Sequence, residues 1–274
     1  MPPLPPLKDL IARHGLNTKK SLGQHFLLDE NICARIAHCA GDVAGCTVIE
    51  IGPGPGGLTR ALLQAGAKQL IAIEKDQRCV AALSELKESF PQLAVIEADA
   101  LEADLPTLSP APRKVVANLP YNVGTALLIK WLDDIHVDPQ AYQSLTLMFQ
   151  REVAGRIMAE PGSKDYGRLS VISQWLCETA HHFDLPPGAF SPPPKIHSSV
   201  ITLVPRPKPL YPADKTALER VVAAAFGQRR KMLRQSLKTL NVDTEALLKA
   251  AGIDGTRRGE TLSVEEFCRL ARKY

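Results

Sequence analysis

The stretch "IEIGPGPGGLTRAL", residues 49–62, decides the fold: an apolar strand ends on a glycine-rich turn that opens directly into an amphipathic helix. Gly52, Gly54 and Gly57 satisfy G-x-G-x-x-G, and Glu74 closes the next apolar strand about twenty residues on. As a pattern this is a dinucleotide fingerprint. As chemistry it fits a dinucleotide badly. A pyrophosphate at a helix N-terminus is held by backbone N–H donors, and Pro53 and Pro55 have none. A loop of that kind suits a ligand without phosphates that approaches the glycines closely, and S-adenosylmethionine is such a ligand. Glu74 serves either ligand, because a strand-end carboxylate can accept from both ribose hydroxyls. Asp99, after the third strand, is placed to accept from an adenine amino group. The alternative is a tight turn with two surface acids.

Outward from the loop, strand-like and helix-like segments alternate. "TVIEIG" (47–52), "QLIAIE" (69–74), "LAVIEAD" (93–99), "KVVANL" (114–119) and "SLTLMFQ" (144–150) read as strands, with amphipathic helical stretches between them. "RLSVISQWLCE" (168–178) reads as a helix, and "HHFDLP" with "SSVITLVP" as two closing strands with a hairpin-like ending. Continuous apolar strands separated by helices predict a mostly parallel sheet covered on both faces. The proline-rich "PRPKPLYP" (205–212) reads as a stiff linker and places a domain boundary there. Beyond it, "ALERVVAAAFGQRRKMLRQSLKTL" predicts one long helix, with Phe226, Leu233, Leu237 and Leu240 on one face and Arg230, Lys231, Arg234 and Lys238 on a neighbouring one.

The net charge of +4 is unevenly spread. Residues 206–274 carry a net +7 and residues 1–205 a net −3. A basic tail on a mildly acidic body suggests a polyanion partner, or else a solvated helical surface. Cys33, Cys39, Cys46, Cys79, Cys177 and Cys268 form no C-x-x-C pair and no metal spacing, which predicts buried thiols in a reduced, cytosolic protein without metal. No apolar run approaches the ~20 residues of a membrane span, and the N-terminus lacks the pattern of a secretory signal.

"VVANLPYNV" (115–123) carries the chemistry. The Asn118 carboxamide oxygen can accept from an exocyclic amine, Pro120 stiffens the loop and removes a donor, and the Leu119 carbonyl can turn toward the same amine. Tyr121 offers a flat face for a base, worth roughly 1–3 kcal/mol in nucleic-acid sites. Two acceptors suit an adenine N6, whose lone pair is delocalised into the ring: they favour a pyramidal amine and stabilise the charge that builds on it. The alternative is an Asn-Pro turn with a packed tyrosine.

"LGQHFLLD" (22–29), "EIGPGPGGLT" (50–59), "IEKD" (73–76), "EADAL" (97–101), "NLPYNV" (118–123), "QREVAGRI" (150–157), "YGRLSV" (166–171) and "AFSPPPKIHSSV" (189–200) occur in order, and together they resemble the ribosomal RNA adenine-N6,N6-dimethyltransferases of the KsgA/RsmA family. The resemblance covers nearly the whole chain. It implies a Rossmann-like class I methyltransferase with a seven-stranded, mostly parallel sheet over residues 1–205, residues 1–30 forming an N-terminal lid segment. A small all-α, basic rRNA-binding domain follows over residues 206–274. It implies S-adenosyl-L-methionine as cofactor and dimethylation of two adjacent adenosines in the 3′-terminal hairpin of 16S rRNA, on an immature small (30S) subunit, by a monomer.

By position, His25, Leu27, Gly52, Glu74, Asp99 and Asn118 resemble the cofactor contacts. Asn118, Leu119, Tyr121 and Phe190 resemble the catalytic set, with Tyr121 and Phe190 as the aromatic pair around a flipped adenine. Arg229, Arg230, Lys231, Arg234 and Lys238 would lie along rRNA phosphates. Many relatives have Asn where this chain has His25, so a pH dependence near ~6.5 is an added expectation. Competing readings are a non-catalytic subunit-assembly factor, an NAD(P)-dependent dehydrogenase, and the related enzymes that methylate one adenine of large-subunit rRNA.

Overall fold

A computed structural model describes residues 6–16 and 24–274. The lid segment expected over residues 1–30 therefore lies partly outside the described residues. Nine strands are present among those described: β1 (Phe26–Leu27), β2 (Thr47–Ile51), β3 (Gln69–Glu74), β4 (Leu93–Glu97), β5 (Arg113–Asn118), β6 (Ser144–Gln150), β7 (Cys177–Leu185), β8 (Phe190–Ser191) and β9 (Ser198–Pro205). Seven of them form one sheet in the order β4-β3-β2-β5-β6-β9-β7, and β1 pairs antiparallel with β8. The ladders β4–β3–β2–β5–β6 are all parallel, and β9 runs antiparallel to β6. The two closing strands are neighbours as expected, with β9 between β6 and β7.

The central strands are apolar on both faces because both faces are covered. All five residues of β2 are buried, and its four apolar or β-branched members suit that place. The helix Glu30–Cys39 supplies Cys33 and Ile36, and the helix Gly57–Gln64 supplies Leu58 and Leu62, to the core that includes Val48, Leu70 and Val116. Caps fix where these helices begin. Asp29 accepts from the backbone N–H groups of Asn31 and Ile32, and Asp76 accepts from that of Arg78.

The strand order sets the position of the site. It reverses at β2: β3 and β4 lie to one side, β5 and β6 to the other. The carboxyl ends of β4, β3, β2 and β5 are thus consecutive neighbours, with Ile51 beside both Ile73 and Ala117. A crevice opens at such a switch point.

Two compact units divide the chain: residues 1–154 with 180–205, and residues 155–179 with 206–274. The boundary at 205/206 coincides with one division, but residues 155–179, expected in the methyltransferase domain, group with the C-terminal residues instead. Aromatic packing is the reason. The Tyr166 ring meets Phe226 edge-on at 5.9 Å, Phe226 meets Phe267 at 5.6 Å, and the Trp175 indole donates to the Tyr211 carbonyl at 2.7 Å.

Two helix expectations need correction. The helix at 168 ends at Leu176, and Cys177 already has extended geometry as the first residue of β7. The long basic helix is interrupted: it runs over Lys215–Gly227, and a four-residue helical turn resumes at Leu233–Ser236. The backbone N–H groups of Leu233 and Arg234 bond to the carbonyls of Arg257 and Gly255, which tie this segment to a loop and prevent one continuous helix. Leu233 and Leu237 are fully buried, so their apolar character was read correctly on the wrong scaffold.

Gly57 is packed so closely that a Cβ would sit 2.5 Å from the Leu27 carbonyl oxygen. Gly57→Ala should therefore lower stability by about 1–3 kcal/mol in chemical denaturation, through overpacking against backbone. Gly45→Ala, where a Cβ meets nothing within 4 Å, should stay within about 0.5 kcal/mol of the parent.

Candidate active site

A cleft of about 220 Å³ lies over the carboxyl ends of β2 to β5. His25, Leu27, Gly52, Glu74, Asp99, Asn118, Leu119 and Tyr121 all line it. Phe190 does not. Across the four strand ends the order is Asp99, Glu74, Gly52, Asn118, so the polar groups form a row along the crevice.

The glycine loop is self-contained. Gly52, Gly54 and Gly56 have φ of 65°, 55° and 92°, the left-handed region that favours glycine. Their N–H groups donate to the Ile73 carbonyl, Glu74 Oε2 and the Pro53 carbonyl, at 2.9, 3.0 and 3.0 Å. With prolines at 53 and 55, every backbone nitrogen from 52 to 56 is either bonded internally or lacks a hydrogen. Among the described residues the N–H groups of Gly57 and Leu58, at the head of the helix Gly57–Gln64, have no backbone acceptor, so the two prolines and the internal bonds reduce the donors open to a pyrophosphate without abolishing them. An adenosyl ligand without phosphates loses nothing by this.

Glu74 is part of the scaffold as well as of the wall. Oε1 accepts from the N–H groups of Lys75 and Asp76, both at 2.8 Å, and Oε2 from Gly54. Of about four lone-pair sites on a carboxylate, one remains, on Oε2. Glu74 can therefore take one ribose hydroxyl with its loop intact, rather than the two that the sequence suggested. Burial raises its pKa, and the three backbone bonds oppose the rise. Asp99 accepts from Lys75 Nζ at 2.7 Å and from the Leu101 N–H at 2.9 Å, and Lys75 holds it below the usual carboxylate range. An adenine amino group would share that oxygen with an exposed, movable lysine.

At the other end of the row, Asn118 Nδ2 donates to the His25 carbonyl at 3.0 Å. This fixes the amide orientation and leaves the carboxamide oxygen as its open acceptor. The Pro120 carbonyl is taken by the N–H groups of Val123 and Gly124, whereas among the described residues no donor takes the Leu119 carbonyl. Asn118 and Leu119 thus present the two acceptors that an exocyclic amine needs. The Tyr121 hydroxyl is hydrogen-bonded to Ser198 Oγ at 2.5 Å, which fixes its ring, and burial raises its pKa.

The expected aromatic pair is not assembled. Phe190 is 5 % exposed and paired through β8 with Leu27 of β1, which draws its ring into the core. The ring beside Tyr121 is His25, with centroids 5.5 Å apart and planes tilted by 32°. His25 Nδ1 is bonded to the Pro192 carbonyl at 2.8 Å. The His25 and Tyr121 rings therefore pack against each other.

Glu50 was missed. It lines the cleft, is 1 % exposed, and its Oε2 has no hydrogen-bond partner. Burial pushes its pKa up to about 8; the Glu74 charge adds to this and the Thr59 hydroxyl opposes it. The available signal was a lone acid inside the otherwise apolar "TVIEI". In the second unit, Arg230, Lys231, Arg234 and Lys238 are exposed. Arg229 is half-buried, paired with Glu260 at 3.2 Å and bonded to the Lys164 carbonyl, which gives it a structural role. No cluster of His, Cys, Asp or Glu among the described residues could hold a metal, and none of the six cysteines is in a disulfide.

The Glu50 carboxyl makes apo stability depend on pH. The unfolded chain releases this proton near 4.5 and the folded chain near 8, so the folded state binds more protons in between. Stability from this group is therefore full below about 4.5 and declines as pH rises to about 8, by at most ~1.4 kcal/mol per pH unit. Thermal melts of Glu50→Gln and the parent should converge at low pH, and the variant should gain on the parent steadily from pH 5.5 to 8.5. A constant difference across that range would contradict the assignment.

Comparison with known proteins accords with this geometry. The ribosomal RNA adenine dimethylase family matches residues 15–274. A protein named ribosomal RNA small subunit methyltransferase A from a Ruegeria species is 59% identical over 271 residues, covering 98% of this chain and 96% of that one. Its namesake from Rhodospirillum rubrum is 58% identical over 270 residues, covering 98% and 92%. Among solved structures, a dimethyladenosine transferase from Plasmodium falciparum superposes with a TM-score of 0.77 at 26% identity, covering 90% of this chain and 96% of that one. The 23S rRNA methyltransferase ErmE superposes with a TM-score of 0.67 at 29% identity, covering 90% and 98%. A family match over residues 15–274 and relatives 59% and 58% identical along nearly the whole chain establish that the chain belongs to the ribosomal RNA adenine dimethylase family.

Proposed function

We propose that this chain transfers methyl groups from S-adenosylmethionine to N6 of two adjacent adenosines in the 3′-terminal hairpin of 16S rRNA, acting as a monomer on the immature small subunit. The observation that carries the reading is the corner at Asn118, whose amide is locked by the His25 carbonyl with its oxygen free beside the Leu119 carbonyl. The small-subunit assignment, over the large-subunit alternative, is supported by identity of 59% to a small-subunit relative against 29% to ErmE.

The residues fit the cofactor class, because two loop prolines and internal bonds leave no donor from 52 to 56 and carboxylates stand on neighbouring strand ends. Asp99 would hold the adenine, Glu74 the ribose, and Gly52, His25 and Leu27 would border the remainder. When bound, the cofactor supplies an electrophilic methyl group on a sulfonium.

The chain's own groups do the rest. In the first transfer the Asn118 oxygen and the Leu119 carbonyl accept from the two N6 hydrogens and draw the nitrogen lone pair out of conjugation; in the second, N6 keeps one hydrogen and one acceptor takes it. Their dipoles stabilise the positive charge that grows as the bond forms. Tyr121, braced by Ser198, offers the stacking face, and Phe190 supports the wall from the core behind it. The extra proton on nitrogen leaves to solvent after transfer, so no general base is needed at the transition state. Arg230, Lys231, Arg234 and Lys238 take rRNA phosphates, with Arg229 holding their segment in place.

Incubation with small subunits lacking the modification, followed by mass mapping of nucleosides, should yield N6,N6-dimethyladenosine at two adjacent positions. No transfer to a competent subunit would refute the reading. Asn118→Ala should lose about 10²–10³ in rate, with cofactor affinity changing less than about tenfold. Replacing Lys231 or Arg234 by Ala should weaken binding to a single-stranded rRNA fragment and reduce its salt slope by about 0.7 for each phosphate no longer neutralised.

A further inference from the structure

The turn that carries Asp99 is held by polar ties rather than by burial. It follows the end of β4, and from Ala98 to Asp104 no residue is buried. Leu101, which lines the cleft, is 38 % exposed. Inside the turn three N–H groups converge on one residue. That of Leu101 donates to Asp99 Oδ1 at 2.9 Å, and those of Glu102 and Ala103 donate to the Asp99 carbonyl, both at 3.0 Å. The carbonyls of Leu101 and Ala103 bond outside the turn.

One side chain takes both of them. Lys130 Nζ donates to the Leu101 carbonyl at 2.7 Å and to the Ala103 carbonyl at 2.6 Å. Lys130 is half-buried on the helix Gly124–Val137, whose Leu127, Leu128 and Trp131 are buried. Leu127 lines the same cleft, and the Lys130 charge reaches both Asp99 and, one helical turn on, Asp134. The helix starts at the acceptor corner, where the N–H groups of Val123 and Gly124 donate to the Pro120 carbonyl at 3.1 and 3.0 Å. A single rigid element thus runs from the corner at Asn118 to the turn at Asp99. Lys75, the other lysine at Asp99, is different: its side chain is 62 % exposed and bonds only the carboxylate, so a ligand can displace it and leave the turn intact.

We propose that Lys130 is a positioning residue for the adenine end of the cofactor: by clipping two carbonyls of the turn it fixes the direction of the Asp99 carboxylate, and with it the choice of a 6-amino purine over a 6-oxo purine. The proposal rests on the reading above that Asp99 takes the adenine. A carboxylate oxygen accepts from the adenine amine, but it meets the O6 carbonyl of hypoxanthine as acceptor against acceptor. The discrimination is only as sharp as the carboxylate is fixed. On an unclipped turn the acid can shift to the N1–H that hypoxanthine offers, and the preference fades.

S-adenosylhomocysteine and S-inosylhomocysteine differ only in this edge of the purine, and calorimetric titration compares them. The parent should prefer the adenosyl ligand by about tenfold or more, as for a hydrogen bond to a charged group. In Lys130→Met the preference should shrink by at least about fivefold, and Lys130→Arg, which can still donate to two carbonyls, should keep it within about twofold of the parent. A general loss of stability would weaken both ligands together and leave their ratio unchanged. An unchanged ratio in folded Lys130→Met would overturn the proposal, and so would an arginine variant as indiscriminate as the methionine one. The free parent supplies a check that needs no variant: the amide hydrogens of Leu101, Glu102 and Ala103 should exchange at least about tenfold more slowly than in an unstructured chain. Exchange at the unstructured rate would overturn the proposal as well. Equal affinity of the parent for the two ligands would overturn the Asp99 reading and this proposal with it, whereas a parental preference that ignores Lys130 would overturn this proposal alone.

Discussion

The parallel ladder between β2 and β5 is the constraint on which the site rests. It joins the two halves of a sheet whose order reverses at β2, and it brings Ile51 alongside Ala117. One residue further along each strand stand Gly52 and Asn118, the glycine turn and the acceptor amide. Local sequence puts each at a strand end, and the ladder sets them side by side. A register shift of one residue would turn Asn118 to the opposite face of the sheet and separate the reacting groups.

Around that ladder the site is built from bonds that the protein makes to itself. Glu74 accepts from Gly54, Lys75 and Asp76, and the N–H groups of Gly52, Gly54 and Gly56 all have protein acceptors. Asn118 is oriented by a carbonyl of the N-terminal segment, and Tyr121 by a serine on β9. Such internal bonding holds these dipoles in fixed directions, the condition under which oriented dipoles act most strongly in a site.

The sheet was legible because its strands are short, apolar and punctuated by glycine or acid residues, and β2, β3 and β6 begin where their composition says. The row Asp99, Glu74, Gly52, Asn118 was legible because each residue ends a strand or follows it. What was hidden depends on tertiary partners. Leu233 and Arg234 look like one more turn of the helix before them, yet their N–H groups belong to a loop more than twenty residues later. Phe190 was expected beside Tyr121 as half of an aromatic pair, and its pairing with Leu27 buries it instead. Arg229 looks like its basic neighbours until Glu260 is seen beside it. Glu50 was visible as an oddity in "TVIEI", but only burial gives it meaning.

The contact between His25 and Tyr121 means that the protein's own imidazole rests against the tyrosine face it would offer to a nucleobase. A visiting purine that stacks there has to displace a tenant already tethered to the Pro192 carbonyl. Loose nucleosides, with nothing but one flat ring to offer, compete poorly for the place. For a nucleotide on a longer strand, contacts made elsewhere would have to cover the cost of moving that imidazole aside.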